Sequence, residues 1–311
     1  MGIHFGVSLP QIKRTWEETK AAAQEFESLG YDSVWVADHL YGIPGPQIPI
    51  FEAWTTLAAV GAVTSRVRLG TLVSPVGFRN PALLAKMAAT LDNITGGRLI
   101  VGLGGGWFEM EFAGYGFDFP AMPVRLQQLD EAAALLKKLW TEDRPTFSGK
   151  HFHVENVFCE PKPLQKPHPP LLIGGGGERV LLRIVARHAN IWNNLAVNQP
   201  DLARKVQILR QHCEAVGRNP DSIQVSQQTM VILGRDQADT QAKLEKAQML
   251  YGGHLGHGIV GTPAGCIEKI RQHVAAGCTM FIIEFFGRDT REPARLFAET
   301  VLPAFAGASQ C

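Results

Sequence analysis

Asp38-His39 stands directly after the apolar run Ser33–Ala37. An imidazole with a pKa near ~6.5 gives or takes a proton under ordinary conditions, so this pair suits acid–base work. An isolated Asp-His pair also serves as a helix cap or a backbone partner, and position has to decide between the two. Gly174-Gly175-Gly176-Gly177-Glu178 follows a second apolar run and opens a helical pattern. Glycines let backbone N–H groups approach an anion, and the start of a helix favours negative charge, so the segment reads as a phosphate cradle. A tight turn is the alternative, although one or two glycines suffice for that. The spacing is neither G-x-G-x-x-G nor a Walker loop, since no Lys-Ser/Thr follows. Gly102-x-Gly104-Gly105-Gly106-Trp107 is a third such segment, open to two readings: backbone approach to a flat ring, or tight packing. Leu72–Pro75 lies after another run, where a strained backbone would support a ring face.

These segments need elements to hold them. Strands are predicted at Ile3–Leu9, Ser33–Ala37, Val67–Val73, Arg98–Leu103, Pro170–Ile173, Asn190–Trp192, Ile223–Leu233 and Thr279–Phe285. Helical spacing fills the intervals, with Gly30, Gly217 and Gly277 as helix stops and Asn80-Pro81 as a start. Strand–helix alternation without a break implies a parallel sheet buried on both faces, and eight units in one chain is the (β/α)8 TIM barrel count. A doubly wound open sheet would need a dinucleotide turn after the first strand, where Leu9-Pro10-Gln11 stands instead. We read residues 1–311 as one barrel domain. In such barrels chemistry sits at the C-terminal strand ends. There the sequence places Asp38, His39, Ser74, Gly104 to Gly106, Trp107, Glu109, Gly174 to Gly177, Asn193, Asn194 and Glu284. The stretches Gly114–Val124 and Ser148–Pro169 exceed ordinary connections.

Composition narrows the function classes. The 311 residues are 45% hydrophobic and 19% charged, with 30 Lys+Arg against 29 Asp+Glu and a net charge of +1. That balance supports neither nucleic-acid nor polybasic membrane binding. No stretch approaches ~18 apolar residues, and the first residues lack a basic-then-apolar leader. The five cysteines, Cys159, Cys213, Cys266, Cys278 and Cys311, form no C-x-x-C, which fits a reducing cytoplasm. The histidines show no H-x-x-x-H or H-E-x-x-H spacing, so no metal site is expected.

The ordered set of segments resembles the luciferase-like monooxygenase superfamily, and within it the F420-dependent oxidoreductase branch. The resemblance rests on Phe5-Gly6-x-x-Leu9-Pro10-Gln11, Ala37-Asp38-His39, Gly70-Thr71-Leu72-Val73-Ser74-Pro75, Arg79-Asn80-Pro81, Gly102-x-Gly104-x-Gly106-Trp107-x-Glu109, Pro161-Lys162-Pro163 and Pro169-Pro170-x-x-Ile173-Gly174-Gly175-Gly176-Gly177. It implies a barrel with an insertion before the last β-α unit, here Gly252–Thr262. It implies a non-prolyl cis peptide in a bulge behind a tricyclic ring, matching Leu72, Val73 and Ser74. Asp38, Ser74 and Gly105 match ring and ribityl contacts, Gly174 to Gly177 the phosphate cradle, and His39 the histidine assisting hydride transfer, with Asp38 orienting the coenzyme or that histidine.

One departure bears on the substrate. A glutamate follows the third glycine in the family's sugar-phosphate dehydrogenases, and Trp107 stands there here. This implies a more apolar pocket lined by Trp107 and Asn194, with Glu109 as an acid–base candidate. The implied cofactor is coenzyme F420, or alternatively FMN in a monooxygenase working with a partner flavin reductase. The implied partners are a small-molecule substrate and a second copy in a homodimer. Arg179, Arg183 and Arg187, after the glycine loop, are candidates to pair with the coenzyme's anionic tail.

Overall fold

The computed structural model describes residues 2–251 and 258–306. In chain order its elements are β1 (His4–Ser8), α1 (Trp16–Ser28), β2 (Ser33–Val36), α2 (Ala53–Val63), β3 (Arg68–Thr71), β4 (Ser74–Pro75), α3 (Pro81–Ile94), β5 (Leu99–Gly104), α4 (Glu109–Gly114), α5 (Met122–Thr141), β6 (Phe147–Ser148), β7 (His153–Val154), β8 (Leu171–Gly174), α6 (Leu181–His188), β9 (Ile191–Asn194), α7 (Leu202–Ala215), β10 (Gln224–Leu233), α8 (Gln237–Tyr251), β11 (Ile259–Gly261), α9 (Pro263–Ala275), β12 (Met280–Phe285) and α10 (Arg291–Thr300). Eight parallel strands, β1, β2, β3, β5, β8, β9, β10 and β12, pair in that order, and β12 returns to β1. Followed once round the ring, the register slips by eight residues, the shear of a (β/α)8 barrel.

Local chemistry starts the helices where the sequence marks them. Thr15 and Glu18 form a reciprocal capping box on α1. The Asn80 side chain accepts from Ala82 N ahead of Pro81 on α3, and Thr262 caps α9. The helices pack on the outer strand face in one large apolar cluster, while Trp35, Ile100, Leu172, Ile191, Met280 and Ile282 fill the lumen.

Between β10 and β12 the chain makes α8, β11 and α9 rather than one helix, so the insertion is present. Its tip, residues 252–257, lies outside the described residues, as does Cys311. Its end is a strand that the sequence reading did not assign: β11 pairs Ile259 to Gly261 with Val231 to Leu233 of β10. Val231 also pairs with Phe285 of β12, so β11 takes the other edge of β10, beyond its pairing with β9. The long stretch after Ser148 contains the β6–β7 hairpin. No helix among the described residues is long and apolar enough to cross a membrane.

Candidate active site

The floor of the mouth is Trp35. A Cβ on Gly6 would lie 2.4 Å from its Nε1, and one on Gly70 2.3 Å from its Cζ3, so two bare backbones admit the indole into the lumen. Above it the third strand bulges. Gly70 pairs with Ile100 but Ser74 with Leu103, so four residues span three of β5. The Leu72–Val73 peptide inside this bulge is cis, at the place the resemblance implied. Val73 turns into the lumen, where a Cβ on Gly104 would meet its Cγ2 at 2.6 Å and one on Gly174 its Cγ1 at 3.1 Å. Packing against Val73 therefore accounts for Gly104. Gly105 differs: its nearest neighbour would be Met122 Sδ at 3.7 Å, which leaves its face open.

Asp38 is sealed beneath the rim. Arg79 donates to both its oxygens, at 2.7 and 3.2 Å, and Ser74 Oγ donates to Oδ2 at 2.5 Å. Trp54 Nε1 donates to Ser74 Oγ at 3.0 Å, and Arg79 also reaches Glu52, the cap of α2. Burial pushes the Asp38 carboxyl up, and the Arg79 guanidinium and the Ser74 hydroxyl oppose that push. Gln11 ties this strand end down, accepting from Ala37 N at 2.7 Å and donating to the Ala37 carbonyl at 3.1 Å.

His39 has a different carboxylate from the one expected. Its Nδ1 lies 2.9 Å from Glu111 Oε1, whose second oxygen accepts from Leu40 N at 2.9 Å and Tyr41 N at 3.4 Å. Asp38 is not a hydrogen-bond partner of His39. A carboxylate only accepts, so the pairing puts the proton on Nδ1 and leaves Nε2 as the free nitrogen. Trp107 and Phe108 flank the imidazole edge-on at 5.7 and 6.3 Å. Glu109, the expected acid–base residue, is exposed on the first turn of α4, and its carboxylate makes no hydrogen bond among the described residues. Two residues apart on a helix face different ways, and Glu111 is the one turned inward. Only its place in a one-turn helix singles Glu111 out, and sequence offers no periodicity to find that.

Asn194 also differs from expectation. Ile191 belongs to the lumen cluster and Trp192 to the outer core, so Asn193 faces in and Asn194 out. Asn194 is buried against Gln227 and the Asn198 carbonyl, outside the lumen. Asn193 accepts from Ser226 Oγ at 2.8 Å, and its Nδ2 is a buried donor without a partner among the described residues.

At the glycine loop, the N–H groups of Gly176 and Gly177 make no hydrogen bond among the described residues, and α6 has no side-chain cap. Buried Lys205 of α7, which sequence reading missed, donates to the Gly176 carbonyl at 2.6 Å and to Glu178 at 3.2 Å. Lys205 and Arg204 hold the Glu178 carboxyl below its usual range. Arg187 pairs with Asp130 at 2.8 Å and is spoken for; Arg179 and Arg183 are exposed. Around the mouth Trp107 (62% exposed), Met110, Tyr115 and Met122 form an apolar rim.

Proton-handling side chains and anion-ready amides gathered at the C-terminal strand ends define a barrel enzyme. The chain belongs to the luciferase-like monooxygenase family, whose model matches residues 3–254. A phthiodiolone/phenolphthiodiolone dimycocerosates ketoreductase of Mycobacterium tuberculosis is 32% identical over 70% of this chain and 61% of its own. The chain thus spans about three fifths of that relative's length. An F420-dependent secondary alcohol dehydrogenase, solved with an F420-acetone adduct, has the same fold at a TM-score of 0.87 and 21% identity, over 98% of this chain and 99% of its own. A riboflavin lyase solved with modified FMN matches at 0.83 and 17%, over 97% and 91%.

The residues present fit a ribityl-phosphate coenzyme. Two free amides in the loop ahead of α6, an open face at Gly105 and an orphaned donor on Asn193 each await an acceptor or a flat surface.

Proposed function

We propose that this chain is an F420-dependent oxidoreductase that moves a hydride between the deazaflavin and the carbonyl or alcohol carbon of an apolar small molecule. The observation that carries the reading is the His39–Glu111 pair at 2.9 Å, a histidine held in one tautomer with Nε2 free at the mouth. Hydride transfer is coupled to proton transfer, and such a histidine takes a proton at Nε2 and, once protonated, gives it back. When bound, the coenzyme supplies the hydride and reacts poorly with oxygen. Gly176 and Gly177 would hold its phosphate by their N–H groups, the Leu72–Val73–Ser74 bulge and Gly105 would support its ring, and Arg179 would meet its tail. Asp38 acts through Ser74 and Arg79, fixing the bulge rather than the histidine.

The apolar rim of Trp107, Met110 and Met122 supports an apolar substrate. A carbonyl substrate is supported by the ketoreductase and the alcohol dehydrogenase among the similar proteins. The alternative is an FMN-dependent monooxygenase served by a partner flavin reductase, and the fold shared with an FMN-bound lyase keeps it in play. Mixing reduced F420 with a long-chain methyl ketone under nitrogen tests the choice. Oxidation of F420 with formation of the secondary alcohol is expected. No oxidation, with oxygen-dependent turnover of reduced FMN, would contradict it.

A further inference from the structure

Across the lumen from the bulge stands a carboxyl that this chemistry has not used. Met280 and Ile282 of β12 belong to the lumen cluster, and Phe281 and Ile283 to the outer core. Glu284 therefore continues the lumen row at the C-terminal end of the strand. In register, Gln228 of β10 pairs with Ile282, which puts it on the same face. Its Nε2 donates to Glu284 Oε1 at 2.9 Å. Oε2 makes no hydrogen bond among the described residues, yet it is not one of the sealed polar atoms without a partner, so it opens into the lumen. No basic side chain pairs with the carboxyl among the described residues, and burial pushes it above the usual carboxylate range. In the ring of eight strands β10 lies opposite β3, with β12 beside it.

The placement matters because hydride transfer changes protonation in two places, the coenzyme ring and the substrate oxygen. His39, with Nδ1 tied to Glu111, has one free nitrogen and lies at the end of β2, next to the bulge. A flat coenzyme held against the bulge would leave the β10–β12 side of the lumen to the substrate. We propose that Glu284 is a catalytic residue that protonates the substrate oxygen, with Gln228 holding its carboxyl toward the lumen. This rests on the hydride-transfer reading above. The step balances. The hydride pair from the reduced coenzyme forms the new C–H bond, and the carbonyl π pair moves to oxygen. The O–H bond of Glu284 breaks and its proton joins that oxygen; the proton that the ring sheds would pass to the free Nε2 of His39 and on to water, and water returns one to the Glu284 carboxylate. In the oxidative direction the carboxylate takes the alcohol proton as hydride leaves. A carboxyl shifted up by desolvation and left without a cation suits this task, because it holds its proton more readily than a free carboxylate does.

The test uses Glu284→Gln, with Glu284→Asp as a variant that keeps the acid. Infrared spectra of the apo protein at neutral pH should show the carbonyl stretch of a protonated carboxylic acid, missing in Glu284→Gln. In the loaded enzyme, single-turnover oxidation of reduced F420 by undecan-2-one should slow by roughly 10²–10⁴-fold in Glu284→Gln, with F420 affinity unchanged and the rate partly recovered in Glu284→Asp. A wild-type rate in Glu284→Gln, or the same infrared spectrum in both proteins, overturns the proposal alone. A wild type that fails to bind F420, or binds it and leaves the ketone unreduced, overturns the hydride-transfer reading and this proposal with it.

Discussion

Replacing Glu111 with glutamine changes one atom at the back of His39 and should reverse which ring nitrogen carries the proton. Glu111 Oε2 accepts from two backbone amides, and Oε1 faces His39 Nδ1. A glutamine oxygen placed at Oε2 keeps both backbone donors satisfied. The opposite orientation would set its NH2 against them, at about 1–3 kcal/mol for each buried donor left without a partner. The favoured orientation therefore points the amide NH2 at Nδ1, which must become an acceptor, and the proton moves to Nε2. Three charge-assisted bonds become neutral ones, for a stability loss of about 1–2 kcal/mol, or a Tm lower by about 2–3 °C in a chain of this size. The effect on chemistry is larger. A histidine in the wrong tautomer forfeits its share of acid–base catalysis, roughly 10²–10⁴-fold, equal to about 2.7–5.5 kcal/mol in the barrier. Nitrogen-15 NMR of the histidine side chains reads the tautomer in the apo protein, and stopped-flow absorbance reads hydride transfer in the loaded one. The reasoning is refuted if Nδ1 keeps its proton in Glu111→Gln, or if the tautomer reverses and the rate does not fall.

The sealed ion pair and the bulge give further tests. Arg79→Met strands the Asp38 carboxylate, whose side chain has no exposure, and should cost about 3–5 kcal/mol in urea unfolding. Adding Asp38→Asn should restore most of that, and a cost near zero in the single variant would mean that Asp38 carries no charge there. Gly104→Ala puts a methyl 2.6 Å from Val73 Cγ2, so the bulge must shift, at about 1–3 kcal/mol of stability and with weaker F420 binding. Gly105→Ala meets nothing nearer than 3.7 Å, so it should leave stability within ~1 kcal/mol while still weakening F420 binding through its open face. Equal affinities for Gly105→Ala and wild type in a fluorescence titration would take the ring away from Gly105.

The barrel was legible because each β-α unit carries its own punctuation. Asn80-Pro81 starts α3, Gly30 and Gly277 stop α1 and α9, and β-branched runs alternate with helical spacing. His39 could be placed on the rim by the same reasoning, since it needed only the end of a strand. Which way a side chain points was another matter. β9 is buried on both faces, so polarity marks neither, and Asn193 and Asn194 are alike until the register is known. Trp35 likewise carries nothing in its type that sets it apart from the outer core, and it fills the lumen. Glu109 and Glu111 share one helical turn with no periodic pattern around it, so the buried partner of His39 could not be told from the exposed acid. β11 is three residues long and follows no strand signal; β10, running past its pairing with β9, gives it an edge.

The coenzyme is the point on which the account turns. Its most direct test is a pair of titrations of the apo protein, one with F420 and one with FMN, followed by calorimetry. Both molecules carry a ribityl phosphate, so Gly176 and Gly177 would hold either, and the difference must come from the ring edge and from the anionic tail near Arg179. Exposed charge pairs contribute only ~0–1 kcal/mol each, so the tail alone cannot supply a large preference. The account predicts micromolar or tighter binding of F420 and clearly weaker binding of FMN. Tighter binding of FMN, or FMN retained at one equivalent through purification, would contradict it.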